Sequence, residues 1–461
     1  MKSAMRPVAL LSLGLILAFF GCDREKTLTR PLSLDPGTRA QFEDFVSQKC
    51  AQSQGGTLLI QPENSPDLQA FFTAAGGKDW VAMDADYGTL LRDSAHAYLR
   101  GIAWEAAKEI EGTYTAFTEG DPKYSTLYAN EIINSIPRGS IYFGGTDPGR
   151  FLITGMEKSQ IHGDPFFLIT QNALVDNSYL DYVHSMYDNQ LYIPTAKDSE
   201  RCFRDYTADA QQRLQNHQLK AGENVSVDPE SGRVTVSGQA AVMRINALIA
   251  KIVFDQNSNH NFYIEQSFPL DWMYPYLEPH GMILKLDHDP LSNLSDTVIR
   301  QDHDYWSNLI QPIIGDWLRD DTSVQDVANF AQNVFLHHDF TGFTGDQRFV
   351  MNKNARQMFS KERANIAGLY LWRAEHATDA AEKQRMNAAA DYACRQAWTL
   401  CPYFPEATIR YVNLLMDETR MSDALIVAET AAEFRSNAGI DRSQYSQMDD
   451  LVSQVKKYQA K

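Results

Sequence analysis

The chain has 461 residues, of which 44% are hydrophobic and 11% aromatic, a composition that supports folded domains with sizeable cores and excludes bulk disorder. Its formal charge is −17, and no local basic cluster offsets it. That balance excludes a nucleic-acid backbone as partner and broad adhesion to anionic lipid.

Lys2 and Arg6 precede an apolar stretch from Val8 to Phe20, which Gly21-Cys22 closes. This is the pattern of a bacterial export signal. A small residue directly before a cysteine at this point resembles the lipobox of bacterial lipoproteins, and the resemblance implies that Cys22 is lipidated and becomes the mature N-terminus. A plain secretory signal or an uncleaved anchor is the alternative. No later stretch is long and apolar enough to span a bilayer. The expectation is therefore an envelope protein facing the periplasm, attached to the membrane through its N-terminal lipid alone. Residues 1–21 are assigned to the signal and 22–38 to a polar tether. Beyond Cys22, the cysteines Cys50, Cys202, Cys394 and Cys401 show no framework spacing. For Cys394 and Cys401, burial as small hydrophobes is the simpler reading.

An α/β domain is expected over residues 39–345. Helices are read over Arg39–Ser53, Asp67–Ala75, Tyr87–Ile110 and Tyr124–Ile136, with a strand at Thr57–Gln61. The organising stretch follows, from Ile136 to Gln171. Ser140–Phe143 is a short β-rich run ended by Gly144-Gly145. Thr146 or Asp147 can cap the next helix, with Pro148 in its first turn, and Phe166–Thr170 is the next apolar run. A strand, crossover and strand of this length predicts a parallel pair. Further on, Tyr179–Tyr187, Asp198–Gln218 and Gln239–Phe254 read as helices, and Val225–Val227 with Arg233–Val236 as a hairpin. Phe262–Glu265 and Gly281–Leu286 read as two more strands, with Leu270–Leu277 between them. Asp302–Leu318 and Val324–Phe335 are helical. The fold class is thus α/β, a parallel Rossmann-like sheet with flanking helices.

From residue 361 the pattern changes. Ala390, Cys394 and Ala397 recur 34 residues later as Ala424, Ala428 and Ala431. That period resembles tetratricopeptide repeats, about two of them over 361–461, leaning on the α/β domain. The interruption His376–Lys383 is longer than the standard repeat allows, and an ordinary helical cap is the alternative.

Two segments, IPRGSIYFGGTDPGR…DPFFLITQ over 136–171 and NFYIEQSFPLDWMYPYLEPHGMILKL over 261–286, resemble the soluble extracytoplasmic region of membrane proteins similar to protein O-mannosyltransferases. The mature chain as a whole resembles a group of lipoproteins with C-terminal tetratricopeptide-like repeats from Verrucomicrobia-type bacteria. The first resemblance implies a parallel α/β fold. It carries over no catalytic residue, because the multi-spanning part that would hold glycosyl-transfer chemistry has no counterpart in this sequence.

The candidate ligand site is the turn Gly144, Gly145, Thr146, Asp147 and Arg150, at the carboxyl edge where open α/β sheets bind ligands. Its N–H groups and Arg150 suit an anion, although the turn is neither a dinucleotide fingerprint nor a Walker A loop. A tight structural turn is the simpler alternative. Glu265 is expected to face Asp147 across that edge, and Asp271 joins it beside Trp272, Tyr274 and Tyr276, suited to a glycan or sugar-phosphate. The same aromatic run also fits a core connector. Asp287-His288-Asp289, Asp302-His303-Asp304 and His337-His338-Asp339 read as solvated edges rather than metal sites. No catalytic residue, metal or cofactor is assigned. The leading expectation is a non-catalytic binding or scaffolding module with a protein partner on its C-terminal repeats; the alternative is an envelope enzyme or receptor for glycans at the sheet edge.

Overall fold

A computed structural model describes residues 32–54, 66–92, 101–157, 163–220, 222–228, 230–266, 270–436 and 442–459. The expected signal, Cys22 and the expected strand Thr57–Gln61 lie outside these residues. Helices α1 (Pro36–Gln54), α2 (Pro66–Gly76), α3 (Trp80–Arg92), α4 (Ile102–Glu119) and α5 (Pro122–Ser135) lead to strand β1 (Ile141–Gly144). A π-helical turn over Pro148–Leu152 continues into α6 (Ile153–Met156) and then β2 (Phe167–Thr170). Helices α7 (Asn177–Tyr187) and α8 (Ala196–Gln215), the hairpin of β3 (Asn224–Val227) and β4 (Val234–Ser237), and α9 (Gln239–Gln256) carry the chain to β5 (Phe262–Ile264). After β6 (Leu277–His280) and β7 (Ile283–Leu286) come α10 (Asp296–Ile314), α11 (Val324–Phe330) and α12 (Gln347–Met351). The last five helices are α13 (Lys353–Glu375), α14 (Ala380–Leu400), α15 (Pro405–Asp417), α16 (Met421–Glu433) and α17 (Arg442–Gln459).

Helices account for 68% of the structure, around one small mixed sheet. The sheet order is β2-β1-β5-β7-β6. β2, β1 and β5 are parallel, with Ile141 opposite both Phe167 and Phe262. β7 and β6 run antiparallel, which corrects the expectation of a wholly parallel sheet. The reason is local. β6 and β7 are joined by Gly281-Met282 alone, with Gly281 at φ +61°, and so short a link closes only an antiparallel pair. β6 itself was hidden by Pro279, which a strand tolerates at a sheet edge.

Several boundaries also differ. The folded body begins inside the span read as tether: Leu32 and Leu34 are buried, and Asp35 Oδ1 accepts from the Gly37 and Thr38 N–H groups at 2.9 and 3.1 Å to start α1. The periodic run read as one helix over 87–110 is two, because the chain is extended at Gly101 (φ −122°, ψ 176°) before α4. Asp379 accepts from the Glu382 N–H and starts α14 at Ala380, which shortens the expected break to 376–379. The four described cysteines are buried free thiols.

One apolar core runs from Leu32 to Val455, so the sheet region and the C-terminal helices share it. At its centre is α13, which packs on α14 and α15 and against α5, β6 and β7. Its middle is a polar run, Lys361-Glu362-Arg363-Ala364-Asn365, in which Glu362, Arg363 and Asn365 are buried. Buried charge is tolerated only with partners, and each has one. Arg363 Nη1 donates to both carboxylate oxygens of Asp302 at 2.9 and 2.8 Å, its Nε donates to Gln396 Oε1, and Tyr370 Oη donates to Asp302 at 2.7 Å. Lys361 pairs with Glu406 at 2.9 Å and Arg410 with the same carboxylate at 2.7 Å. Burial pushes the Glu406 carboxyl up, but Lys361 and Arg410 outweigh it and hold it at about 2.

Removing one member of the Asp302–Arg363 pair leaves the other charge stranded. Arg363→Met is expected to lower unfolding free energy by about 3–5 kcal/mol, measured by urea denaturation. The double variant Asp302→Asn/Arg363→Met should lose clearly less than the sum of the two single losses. Additive losses would mean the pair is not coupled.

Candidate functional site

The connection from β1 to β2 takes the chain to one side of β1, and β5 returns on the other side. The carboxyl ends of β1 and β5 therefore form the topological switch point, where α/β sheets leave a crevice for ligands. The turn Gly144–Arg150 follows β1 there, and Glu265 follows β5. The structure brings these together. Glu265 is fully buried, and its Oε2 accepts from the N–H groups of Gly145 at 2.7 Å and Thr146 at 2.6 Å. The donors expected to hold an external anion are occupied by the chain's own carboxylate.

The glycines make room for this contact. A Cβ on Gly149 would lie 2.1 Å from Glu265 Oε2, and one on Gly144 would lie 3.0 Å from the Gly149 carbonyl. Thr146 rather than Asp147 caps the turn, its Oγ1 accepting from the Gly149 N–H at 3.0 Å. Tyr142 Oη donates to the Gly149 carbonyl at 2.7 Å. Gln171 Nε2 donates to the Glu265 carbonyl and Asn172 Nδ2 to that of Gly145, both at 2.6 Å.

Helix α13 closes the edge from its other side. Asn365 Nδ2 donates to the Gln266 carbonyl at 2.7 Å. Glu362 accepts from Tyr128 Oη at 2.9 Å and lies close enough to Glu265 to feel its charge. Burial, and then the Glu265 charge, push Glu362 well above the ordinary glutamate value of 4.5.

The remaining expected residues stand apart from this cluster. Asp147 does not face Glu265 through a hydrogen bond; its Oδ1 pairs with Arg150 Nη2 at 3.3 Å. The Arg150 guanidinium is folded over the Phe151 ring at 3.9 Å, and its Nε and Nη2 make no hydrogen bond. Asp271 is exposed and pairs with Lys220 and Arg244. Trp272 donates to the Ala247 carbonyl at 2.8 Å, and Tyr274 stacks on Trp372, so this aromatic run is a packed connector. Asp302, read as solvated, is instead buried on Arg363. Among the described residues no group of three His, Cys, Asp or Glu side chains could hold a metal ion.

Glu362, Tyr128 and Asn365 were missed. The only signal for Glu362 and Asn365 is the charged run at 361–365, which a helix on a solvated surface would show equally well, and Tyr128 has none beyond its place in the helix read over 124–136.

These features define a helix-rich body built on a small mixed sheet whose switch point is filled from within. No family model, curated protein or solved structure matches the chain.

Two outcomes follow from the carboxyl pair. A group whose pKa is raised on folding contributes stability that is complete below its unfolded value and is lost as pH rises toward the folded one. The stability of the native chain should therefore fall relative to Glu362→Gln as pH rises from 4.5, read from urea unfolding at successive pH values. Parallel curves would mean that folding does not raise Glu362. Gly149→Ala is expected to destabilise by about 1–3 kcal/mol through overpacking on Glu265, measured in the same way.

Proposed function

We propose that this protein is an envelope lipoprotein, tethered through Cys22, whose folded body is a non-catalytic binding module. The observation that carries the reading is the filled switch point. Glu265 saturates the turn amides and α13 covers them, so the edge where an α/β enzyme would hold its substrate works as a structural joint. Among the described residues no helix is long and apolar enough to cross a membrane. The parallel β2-β1-β5 core is the part of the sheet that supports a Rossmann-like ancestry, and it belongs with the resemblance to mannosyltransferase-like extracytoplasmic regions.

The repeat reading has support of its own. Helices α13 to α17 pack each on the next, and the small residues at the 34-residue spacing are buried on α14 and α16, as paired repeat helices require. Because the surroundings of α13 are taken up by the rest of the body, a protein partner would engage α15 to α17.

The test has two parts. Grown with an alkyne fatty acid, cells should label the native chain and not Cys22→Ser, which should move to the soluble fraction. Thermal unfolding with nucleotide sugars, polyprenyl phosphates and divalent metals should show no shift that Arg150→Ala abolishes. Absence of lipid label overturns the tether, and an Arg150-dependent shift restores a ligand site at the sheet edge. A ligand at about 100 times its Kd adds about 2.7 kcal/mol, which is readily seen.

A further inference from the structure

Away from the sheet edge, α10 and α14 border a cleft of about 350 Å³, at the small end of the range for ligand pockets. Its walls include Arg300, His303, Asp304, Ser307, Asp320 and Tyr392, with Ile299 as the apolar surface. The cleft is held open by contacts on both sides. Arg385 of α14 clasps the start of α10, donating to Asp296 at 2.7 Å and to the Leu294 carbonyl at 2.6 Å. Deeper in, Ser307 Oγ and Tyr392 Oη are hydrogen-bonded at 3.0 Å, and Gln396 Nε2 donates to Ser307 Oγ at 3.4 Å. Asp302, beside His303, fixes α10 to α13 through Arg363. The scaffold is therefore rigid.

Against this frame several polar groups are uncommitted. Asp304, Asp320 and Arg300 are exposed side chains that enter no ion pair or side-chain hydrogen bond among the described residues. His303 meets Tyr392 and Tyr370 edge-on at 5.1 and 6.3 Å, and its Nε2 is buried without a hydrogen-bond partner. Burial, and then the Arg363 charge, lower its pKa from 6.5, so the ring is neutral near pH 7 and offers one donor and one acceptor.

The mixture of groups selects the ligand. With Asp296 and Arg385 paired to each other, the free carboxylates of Asp304 and Asp320 oppose an anion, and the free Arg300 guanidinium opposes a strong cation. A neutral polyol satisfies both sets, since each hydroxyl donates to a carboxylate and accepts from a guanidinium or an imidazole N–H. We infer that the α10–α14 cleft is a binding site for a saccharide unit, with Asp304, Asp320, Arg300 and His303 as its polar contacts and Ile299 under the C–H face of the ring. The inference rests on the reading of the body as a binding module, but the site is separate from the Gly144–Arg150 turn.

The experiment is titration calorimetry on the mature chain in detergent, with N-acetylglucosamine and maltose as saccharide probes and putrescine as a cationic control. At least one saccharide should bind at millimolar concentration. Asp304→Asn and Asp320→Asn, both at exposed positions that leave the fold intact, should each weaken that binding about tenfold, the worth of one charge-assisted hydrogen bond. Arg150→Ala should leave it unchanged. No heat with either saccharide, binding of putrescine alone, or saccharide binding indifferent to both aspartate substitutions would overturn the site. Loss on Arg150→Ala would place the ligand at the sheet edge, and so would count against the non-catalytic reading as well.

Discussion

Charge buried inside a protein must be matched where it lies, and in this chain the requirement falls on one helix. Lys361, Glu362, Arg363 and Asn365 occupy successive directions around α13, and each meets a different part of the sequence: Glu406, the Glu265 carboxyl, Asp302 and the Gln266 carbonyl. About two turns further on, Arg373 donates to the carbonyls of Leu291, Pro275 and Leu277. Apolar packing alone would tolerate rotation or sliding of such a helix. Five polar contacts pointing in different directions do not, because a shift that keeps one of them breaks another. The sheet edge, α10 and α15 are thereby fixed relative to one another through α13.

This explains what could and could not be read from the sequence. Elements with strong local signals were legible: the strands at 141–144, 167–170 and 262–264, and the hairpin at 224–237. Their determinants lie within a few residues of one another, as with Asp228 accepting from the Glu230 and Ser231 N–H groups in the hairpin turn. β6 was not legible because its one unusual residue, Pro279, argues against a strand unless the strand is known to lie at an edge. The polar run of α13 was not legible for a different reason. A charged helical segment is ordinarily solvated, and only its distant partners, 61 residues away for Asp302 and 234 for Tyr128, turn it into core.

The candidate site was legible in position but not in chemistry. The glycine turn, its place at the carboxyl end of β1 and the approach of Glu265 could all be anticipated from strand order. What the sequence pattern did not convey is that Glu265 is itself the anion. An external phosphate or carboxylate would have to displace a buried glutamate that holds two backbone donors, and would then leave that glutamate without partners. Since the displaced group loses the same kind of hydrogen bonds the newcomer gains, little net affinity remains.

The same commitments bear on how the protein responds to a ligand. A ligand shifts a conformational equilibrium only by its differential affinity for the two states. Any second arrangement that moves α13 would strand the Asp302–Arg363 pair, the Lys361–Glu406 pair and the Asn365–Gln266 hydrogen bond together, and a single stranded buried pair already costs about 3–5 kcal/mol. A saccharide held by a few hydrogen bonds in a cleft on α10, whose own position depends on Arg363, does not supply that difference. Binding at this surface would therefore leave the core in place, adding contacts without changing the shape of the body.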